Sequence, residues 1–202
     1  MKKQVALVLG LFFCTVMFAQ KMKVVNGDFD FIKGQKEVNV EFVYDNQKLF
    51  KDNQTNEEYM ESRSADLEKK SRGKGKAWEK KWIASRELIY APKFLELMNR
   101  YMEKKRNMYF QEGLTDAKYT LIVETKWLYP GWNVGVMKKG AKVTTNLKFV
   151  ETANRDNVLL EINAKNAPGN SFGGTYSNED RIGEGYAKTG KTLAGLLIKK
   201  TK

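Results

Sequence analysis

Few residue types in this chain could carry enzymatic chemistry. The 202-residue sequence contains no histidine and a single cysteine, Cys14. Without histidine, the chain lacks the usual general base of hydrolytic triads and the commonest metal ligand. Because Cys14 lies in an apolar N-terminal segment, the rest of the chain offers no thiolate for catalysis, disulfide bonding or zinc binding. We therefore expect no cofactor and no metal site.

Pairs of carboxylates could still support catalysis without histidine. The candidate pairs are Asp28/Asp30, Glu57/Glu58 and Glu179/Asp180. Asp28 and Asp30 are two residues apart, a spacing that places both on one face of a strand. The other two pairs fall at predicted helix starts, where acidic side chains interact favourably with the helix dipole. These pairs leave a carboxylate-dependent enzyme open as an alternative.

Residues 185–192 fit the phosphate-binding pattern G-x-x-x-x-G-K-[S/T], with Lys191 as its lysine. That pattern binds phosphates where a buried strand leads into the loop and a helix follows. Here the preceding residues 178–181 are polar and predict a helix start, and only ten residues follow Thr192. The context favours an ordinary amphipathic helix, whose glycines would be explained by a close helix–sheet contact.

A basic segment, residues 69–81, lies beside Trp78 and Trp82. The candidate partner-binding residues in it are Lys74, Lys76, Lys80 and Lys81. Basic side chains next to tryptophans resemble a charged groove with stacking platforms. The alternative is a solvent-exposed connection between two helices, with both tryptophans in the core.

Trp132 is a further candidate partner-binding residue, in the aromatic segment 129–135 that follows a predicted strand. Loops carried by rigid sheets often hold binding residues. The alternative is that Trp127 and Trp132 fold back over the sheet and cover the core. The sequence leaves both interpretations open.

Hydrophobic periodicity predicts the elements that position these side chains. Alternating apolar residues within 24–45 predict an N-terminal hairpin, with its turn at residues 33–35. Thr55 and Glu58 form a capping-box signature for a helix that ends near residue 70. Two more helices follow, and Pro92 suits the first turn of the second.

The second half of the chain changes to a period of two residues. Three predicted strands occupy residues 119–129, 143–149 and 158–164. Their short turns indicate an antiparallel meander, with Trp127 on the same face as Val123. Ser177 with Asp180 opens a C-terminal helix. The predicted fold class is α+β: an antiparallel sheet, formed by the N-terminal hairpin and the three-stranded meander, with helices packed on one face.

Residues 1–19 have the features of a cleavable secretory signal. Lys2 and Lys3 precede an apolar run at residues 5–18, and the small residue Ala19 precedes Gln20. The run has 14 residues, fewer than the roughly 20 that a spanning helix needs. We predict cleavage between Ala19 and Gln20 and one domain over residues 20–202. We also predict export to the periplasm or the cell exterior, with outer-membrane association left open.

The composition supports a basic, folded protein. The formal net charge is +12, and it is +10 without residues 1–19, which contain two lysines and no acid. A hydrophobic fraction of 42% is enough for a core. The charge suits lipid phosphates, acidic polysaccharide or an acidic protein, whereas nucleic acid is not expected outside the cytoplasm. No integral membrane segment is expected after signal removal, and the oligomeric state does not follow from the sequence.

Part of the chain resembles known envelope proteins. Segments 117–149 and 166–199, with the Trp78/Trp82 helix, resemble small uncharacterised secreted proteins of Gram-negative bacteria. The strand–strand–strand–helix ending, with residues 186–191, is similar to lipoproteins that share the fold of the TolB N-terminal domain. The resemblance implies an envelope location and an α+β fold but no activity. The chain departs from those lipoproteins because it lacks their lipid-attachment site.

Taken together, these features favour a non-enzymatic exported envelope protein that binds a protein partner or an anionic envelope component. The alternative is a carboxylate-dependent hydrolase that acts on envelope polymers. A concave pocket with two inward-facing acids would favour the hydrolase. A convex, basic surface would favour binding.

Overall fold

The computed structural model describes residues 20–134, 137–169 and 177–201, so the predicted signal, including Ala19, lies outside the described residues. The strands are β1 (Lys21–Gly27), β2 (Glu37–Val43), β3 (Lys48–Leu49), β4 (Gln54–Thr55), β5 (Tyr109–Gln111), β6 (Tyr119–Tyr129), β7 (Trp132–Val134), β8 (Met137–Lys139), β9 (Ala141–Glu151) and β10 (Val158–Gly169). The α-helices are α1 (Asn56–Lys70), α2 (Lys74–Ser85), α3 (Ala91–Arg106) and α4 (Asn178–Lys200). A π-helical segment, Arg86–Tyr90, joins α2 to α3.

Most strands belong to one mixed sheet. Its order is β1-β10-β9-β6-β2-β5, and the short β3 pairs with both β4 and the end of β6. β1, β10, β9 and β6 are antiparallel, whereas β2 runs parallel to β5 and β6. β7 and β8 form a separate two-stranded hairpin, inserted between β6 and β9. The predicted meander of three strands is confirmed as β6, β9 and β10.

The predicted N-terminal hairpin is wrong, and the sheet is mixed rather than antiparallel. β1 pairs with β10 at one edge, and β2 lies beyond β6. The residues between them contain a 3-10 turn, Asp30–Ile32, from which Phe31 packs against Phe149 and Ile32 enters the core. The alternating aromatics there therefore belong to a turn. The parallel pairing of β2 with β5 needs a long crossover, which α1, α2 and α3 supply.

The α+β class, with helices packed on the sheet, is confirmed. The core face of the sheet presents apolar side chains such as Leu121 and Leu147, and α3 and α4 bury Phe94, Met98 and Leu193 in the same core. The opposite face is polar. Its side chains bond across strands: Asn146 donates to Glu161 at 2.6 Å, and Lys148 pairs with Glu124 at 3.8 Å. Alternation along β6 and β9 thus separates core from solvent.

A bulge in β6 changes the face on which Trp127 lies. The register shifts between Thr125 and Trp127, so Trp127 pairs with Thr144 on the polar face and Leu128 takes the next core position. The expected placement of Trp127 with Val123 is therefore wrong. A strict period of two cannot anticipate an inserted residue.

The residues that match the phosphate-binding pattern form part of a helix. Residues 185–192 lie inside α4, which Ser177 caps by accepting a hydrogen bond from the Asp180 backbone. A Cβ at Gly185 would lie 2.4 Å from Val143, and one at Gly190 would lie 2.3 Å from the Phe94 carbonyl oxygen. Gly185 therefore permits the close helix–sheet contact expected from the sequence, whereas Gly190 permits close packing of α4 on another helix, α3. No helix in the described ranges has the length and apolar character to cross a membrane.

The turn between α1 and α2 is shorter than predicted. Both hydrogen bonds of the Thr55/Glu58 capping box are present, and α1 continues to Lys70. The Glu68 carboxylate accepts the backbone N–H groups of Gly73 and Gly75, at 2.6 and 3.0 Å. These bonds hold the pKa of Glu68 below its usual value. Most of the predicted connection, residues 69–81, is thus helical, because a carboxylate caps the new helix start.

Candidate functional site

An open cleft of about 650 Å³ lies where α1 and the β3–β4 hairpin meet the end of β6. Its aromatic side chains are Phe50, Tyr59 and Tyr129. Its charged side chains are Lys51, Asp52, Arg63, Asp66 and Lys139. Gln54 and Ser62 complete the lining. This volume is in the range of small-molecule sites, and its lining combines apolar rings with a few polar groups.

One face of α1 supplies four of the lining residues. Tyr59, Ser62, Arg63 and Asp66 are spaced i, i+3, i+4 and i+7. That spacing stacks side chains along one side of a helix. The capping box fixes where α1 begins, and it therefore also fixes which residues face the cleft.

The turn between β3 and β4 holds Phe50 in place. Its backbone has a left-handed φ of 57°. The Phe50 N–H donates to the Leu128 carbonyl at 3.0 Å, and the Phe50 carbonyl accepts from Trp127 Nε1 at 2.6 Å. The bulge that moves Trp127 to the polar face thus provides a hydrogen bond that anchors the cleft.

The aromatic rings of the cleft are continuous with the core. The Phe50 ring centroid lies 5.3 Å from that of Tyr59 and 5.8 Å from that of Tyr129. Tyr59 in turn packs edge-on against Trp82 at 5.2 Å. Burial raises the pKa of the Tyr59 phenol. Because these rings lock one another in place, the cleft has a rigid apolar floor.

The cations of the cleft have few partners. Arg63 is half-buried, and its Nε atom has no hydrogen-bond partner in the described part of the chain. Lys139 lies over the Tyr129 ring, with Nζ 5.1 Å from the centroid. Lys51 is exposed at the rim. Because the Arg63 Nε atom is itself buried, it is not accessible from the cleft, and the three cations contribute to the site through their charge.

The two acids of the cleft are exposed and interact with neighbours. The Asp52 carboxylate accepts a hydrogen bond from Gln54 Nε2 at 2.8 Å. The Asp66 carboxylate lies 3.8 Å from Lys69 Nζ. Three cations and two engaged carboxylates leave the lining basic.

The four candidate lysines do not form one patch. Lys74, Lys76, Lys80 and Lys81 are all exposed on α2. At about 100° per residue, Lys74 and Lys81 lie on one flank of the helix, and Lys76 and Lys80 lie on its outer side. Lys81 also pairs with buried Glu179, Nζ to Oε2 at 3.4 Å. None of these four lysines is among the residues that line the cleft.

The two tryptophans of α2 are not free stacking platforms. Trp82 is buried and donates to Asn56 Oδ1 at 3.0 Å. Trp78 is partly buried and donates to Glu179 Oε1 at 3.1 Å. Their rings stack on each other, 5.6 Å apart. This placement agrees with the alternative in which both tryptophans belong to the core.

The remaining predicted residues lie in different parts of the fold. Trp132 is on β7, opposite Lys139, and 40% of its surface is exposed, so it does not cover the core. Gln20 is buried and donates from Nε2 to Thr189 Oγ1 at 3.0 Å. The predicted cleavage site adjoining it includes Ala19, outside the described residues.

The carboxylate pair at Asp28 and Asp30 has a structural role. Asp28 accepts a hydrogen bond from the Asp30 backbone at 2.8 Å, and Asp30 pairs with Lys33 at 2.7 Å. Within residues 20–134, 137–169 and 177–201, no three acidic side chains come together as a metal site.

The cleft is not among the sites predicted from the sequence. A signal for it was available in α1, because Tyr59, Ser62, Arg63 and Asp66 recur on one helical face. Local sequence patterns do not predict that Phe50 and Lys139 line the cleft. They depend on the pairing of β3 with β6 and on the position of the β7–β8 hairpin.

No protein-family model and no curated protein matches this chain. It is similar to the PelC dodecamer from Paraburkholderia phytofirmans, at 10% identity and a TM-score of 0.38, over 85% of this chain and 96% of that one. A substituted PelC dodecamer from the same organism gives 10% identity and a TM-score of 0.37, over 86% and 97%. At these TM-scores, the similarity supports no inference about fold or function.

Proposed function

We propose that this chain is a non-enzymatic exported envelope protein whose cleft binds an acidic polysaccharide. The observation that carries the proposal is the composition of the cleft: a rigid floor of three aromatic rings, with Lys51, Arg63 and Lys139 around it. The predicted signal and the basic charge of the chain support an anionic envelope component as the ligand.

The two kinds of lining residue fit two features of an acidic sugar chain. Phe50 and Tyr129 are partly exposed, and such rings offer rigid apolar surfaces on which the C–H faces of sugar rings can pack. Tyr59 is only 7% exposed and supports the floor by packing against Phe50. The Arg63 guanidinium offers a planar set of donors that matches a carboxylate. Because the cleft is open, a chain could enter and leave it without being cut.

The test is isothermal titration calorimetry, in which oligogalacturonate is added to residues 20–202 at low salt. Arg63→Gln should weaken binding about 10-fold or more, since a hydrogen bond to a charged group contributes about 1.5–3 kcal/mol. Lys76→Gln is the matched control, because it removes the same charge from an exposed position outside the cleft. Carboxyl-reduced oligomer should not bind.

Two outcomes would contradict the proposal. One is equal binding of the Arg63→Gln variant and the unmodified chain. The other is an equal loss of affinity in the Lys76→Gln variant, which would indicate a response to net charge alone. Thermal unfolding of each variant confirms that the fold is retained.

A second candidate function rests on the two acids of the same cleft. Asp52 and Asp66 both line it, and paired carboxylates can hydrolyse glycosidic bonds. Release of new reducing ends from oligogalacturonate by the unmodified chain, abolished in the Asp52→Asn/Asp66→Asn double variant, would establish a hydrolase. Stable oligomer in the presence of bound protein would support the binding function.

A further inference from the structure

The β7–β8 hairpin presents an uncovered apolar face. The paired residues are Trp132 with Lys139, Asn133 with Lys138, and Val134 with Met137. Because paired and alternate residues share a face, Trp132, Val134 and Met137 lie on one side, together with Lys139, which also lines the cleft. Their exposed fractions are 40%, 65% and 61%. Large apolar side chains clustered in this way on a surface indicate an interaction site.

The charge around this face is positive. From residue 125 to residue 150 the sequence contains five lysines and no acid. Lys138 lies on the hairpin itself, and Lys142 follows on β9, exposed. An apolar face with basic flanks is the pattern of segments that lie in the headgroup region of anionic membranes.

We propose that the β7–β8 hairpin docks this protein on an anionic phospholipid surface. Trp132 would lie at the level of the headgroups, where tryptophan is favoured, while Val134 and Met137 enter the acyl boundary. Lys138 and Lys142 would remain among the lipid phosphates. Each lysine near such a surface strengthens binding roughly fivefold.

The size of the hairpin favours a membrane over a protein partner. A stable protein–protein interface takes about 20–30 residues from each side. The described hairpin offers six residues, of which three are apolar. A lipid surface needs no shape complementarity, so a small apolar face with flanking cations is sufficient.

The test is sedimentation of residues 20–202 with vesicles of phosphatidylglycerol and phosphatidylethanolamine, beside vesicles of phosphatidylcholine alone. We expect binding to the anionic vesicles and at least 10-fold weaker binding to the neutral ones. The Val134→Asn/Met137→Asn variant should lose about 10-fold or more in affinity for the anionic vesicles. The Ile83→Asn/Leu88→Asn variant is the matched control, because both residues are exposed aliphatics on another face, at 50% and 74%.

Two further readouts separate this site from the cleft. Arg63→Gln should leave vesicle binding unchanged, since Arg63 belongs to the cleft. Anionic vesicles should shift tryptophan fluorescence to the blue, and Trp132→Phe should abolish the shift. Equal binding to both kinds of vesicle, or unchanged anionic binding in the Val134→Asn/Met137→Asn variant, would overturn the proposal. The proposal would also be overturned if light scattering showed that the Val134→Asn/Met137→Asn substitutions change self-association and nothing else.

Discussion

Arg63 and Glu179 are two charged side chains whose surroundings differ. Glu179 is 3% exposed, and its carboxylate is satisfied by Trp78 Nε1 and Lys81 Nζ. A buried charge is normally paired in this way. Arg63 is half-buried, yet its Nε atom has no hydrogen-bond partner in the described ranges. Glu179 therefore stabilises the fold, whereas Arg63 is one of the residues that line the open cleft.

Glu41 and Arg155 give a residue-level prediction about pH. Arg155 donates two hydrogen bonds of 2.6 Å to the Glu41 carboxylate, which lowers the pKa of Glu41. The pair therefore stabilises the folded state at neutral pH, and this contribution is lost as the pH falls through the lowered pKa. Glu41→Gln should reduce the free energy of unfolding by about 0.5–1 kcal/mol at neutral pH, the upper range for exposed pairs.

The control for this prediction is Glu37→Gln. Glu37 lies on the same strand, β2, and is exposed, without an ion pair in the described structure. Urea unfolding at neutral and acidic pH should show a pH-dependent difference for Glu41→Gln and none for Glu37→Gln. Equal losses in both variants, or a Glu41→Gln loss that persists in acid, would rule out the ion pair as the cause.

At the scale of elements, helices could be predicted from local sequence patterns, whereas the long-range pairing of strands could not. The capping box and Pro92 predicted the starts of α1 and α3, because both signals lie within a few residues. The partner of β1 is more than 130 residues away, on β10. No local pattern specifies that pairing, so the N-terminal hairpin was predicted in its place. The cleft depends on the same kind of pairing, between β3 and β6.

The packing of α4 on α3 gives a prediction at the element scale. A Cβ at Gly190 would lie 2.3 Å from the Phe94 carbonyl oxygen, which is backbone and cannot move aside. Gly190→Ala should therefore lower the free energy of unfolding by about 1–3 kcal/mol. Gly195→Ala on the same helix meets nothing within 4 Å and should raise stability by up to about 1 kcal/mol. Denaturant unfolding compares them; equal effects would contradict the close-packing explanation.

The helical state of residues 185–192 gives a prediction about nucleotides. These residues form the middle of α4, so their backbone N–H groups are not arranged as a phosphate loop. Lys191 lies over the Tyr101 ring, at 5.6 Å from its centroid. Mg-ATP should leave the melting temperature unchanged in both the unmodified chain and the Lys191→Ala variant. A nucleotide-dependent increase that this substitution abolishes would contradict the prediction.

At the scale of the whole molecule, the predicted export is testable by mass. The intact mass of protein isolated from the native envelope should correspond to a chain that begins at Gln20. Gln20 would then be an N-terminal residue held against α4 by its hydrogen bond to Thr189. A chain that retains residues 1–19 would contradict the predicted cleavage.

Three basic surfaces of the described structure bear on where an anionic ligand would bind. These are the cleft, the β7–β8 hairpin with its flanking lysines, and the exposed sides of α2. Net charge alone would attract an anionic polymer to all three. The cleft differs because it adds a fixed aromatic floor to its cations. The central claim is therefore that an acidic polysaccharide binds at the cleft and not on α2.

Lysine acetylation rates, measured by mass spectrometry with and without oligogalacturonate, test this claim most directly. Lys51 and Lys139 line the cleft, and Lys74, Lys76 and Lys80 are equally open to reagent on α2. Binding at the cleft should slow the acetylation of Lys51 and Lys139 and leave the three α2 lysines unchanged. Protection of the α2 lysines, with Lys51 and Lys139 unaffected, would contradict the account.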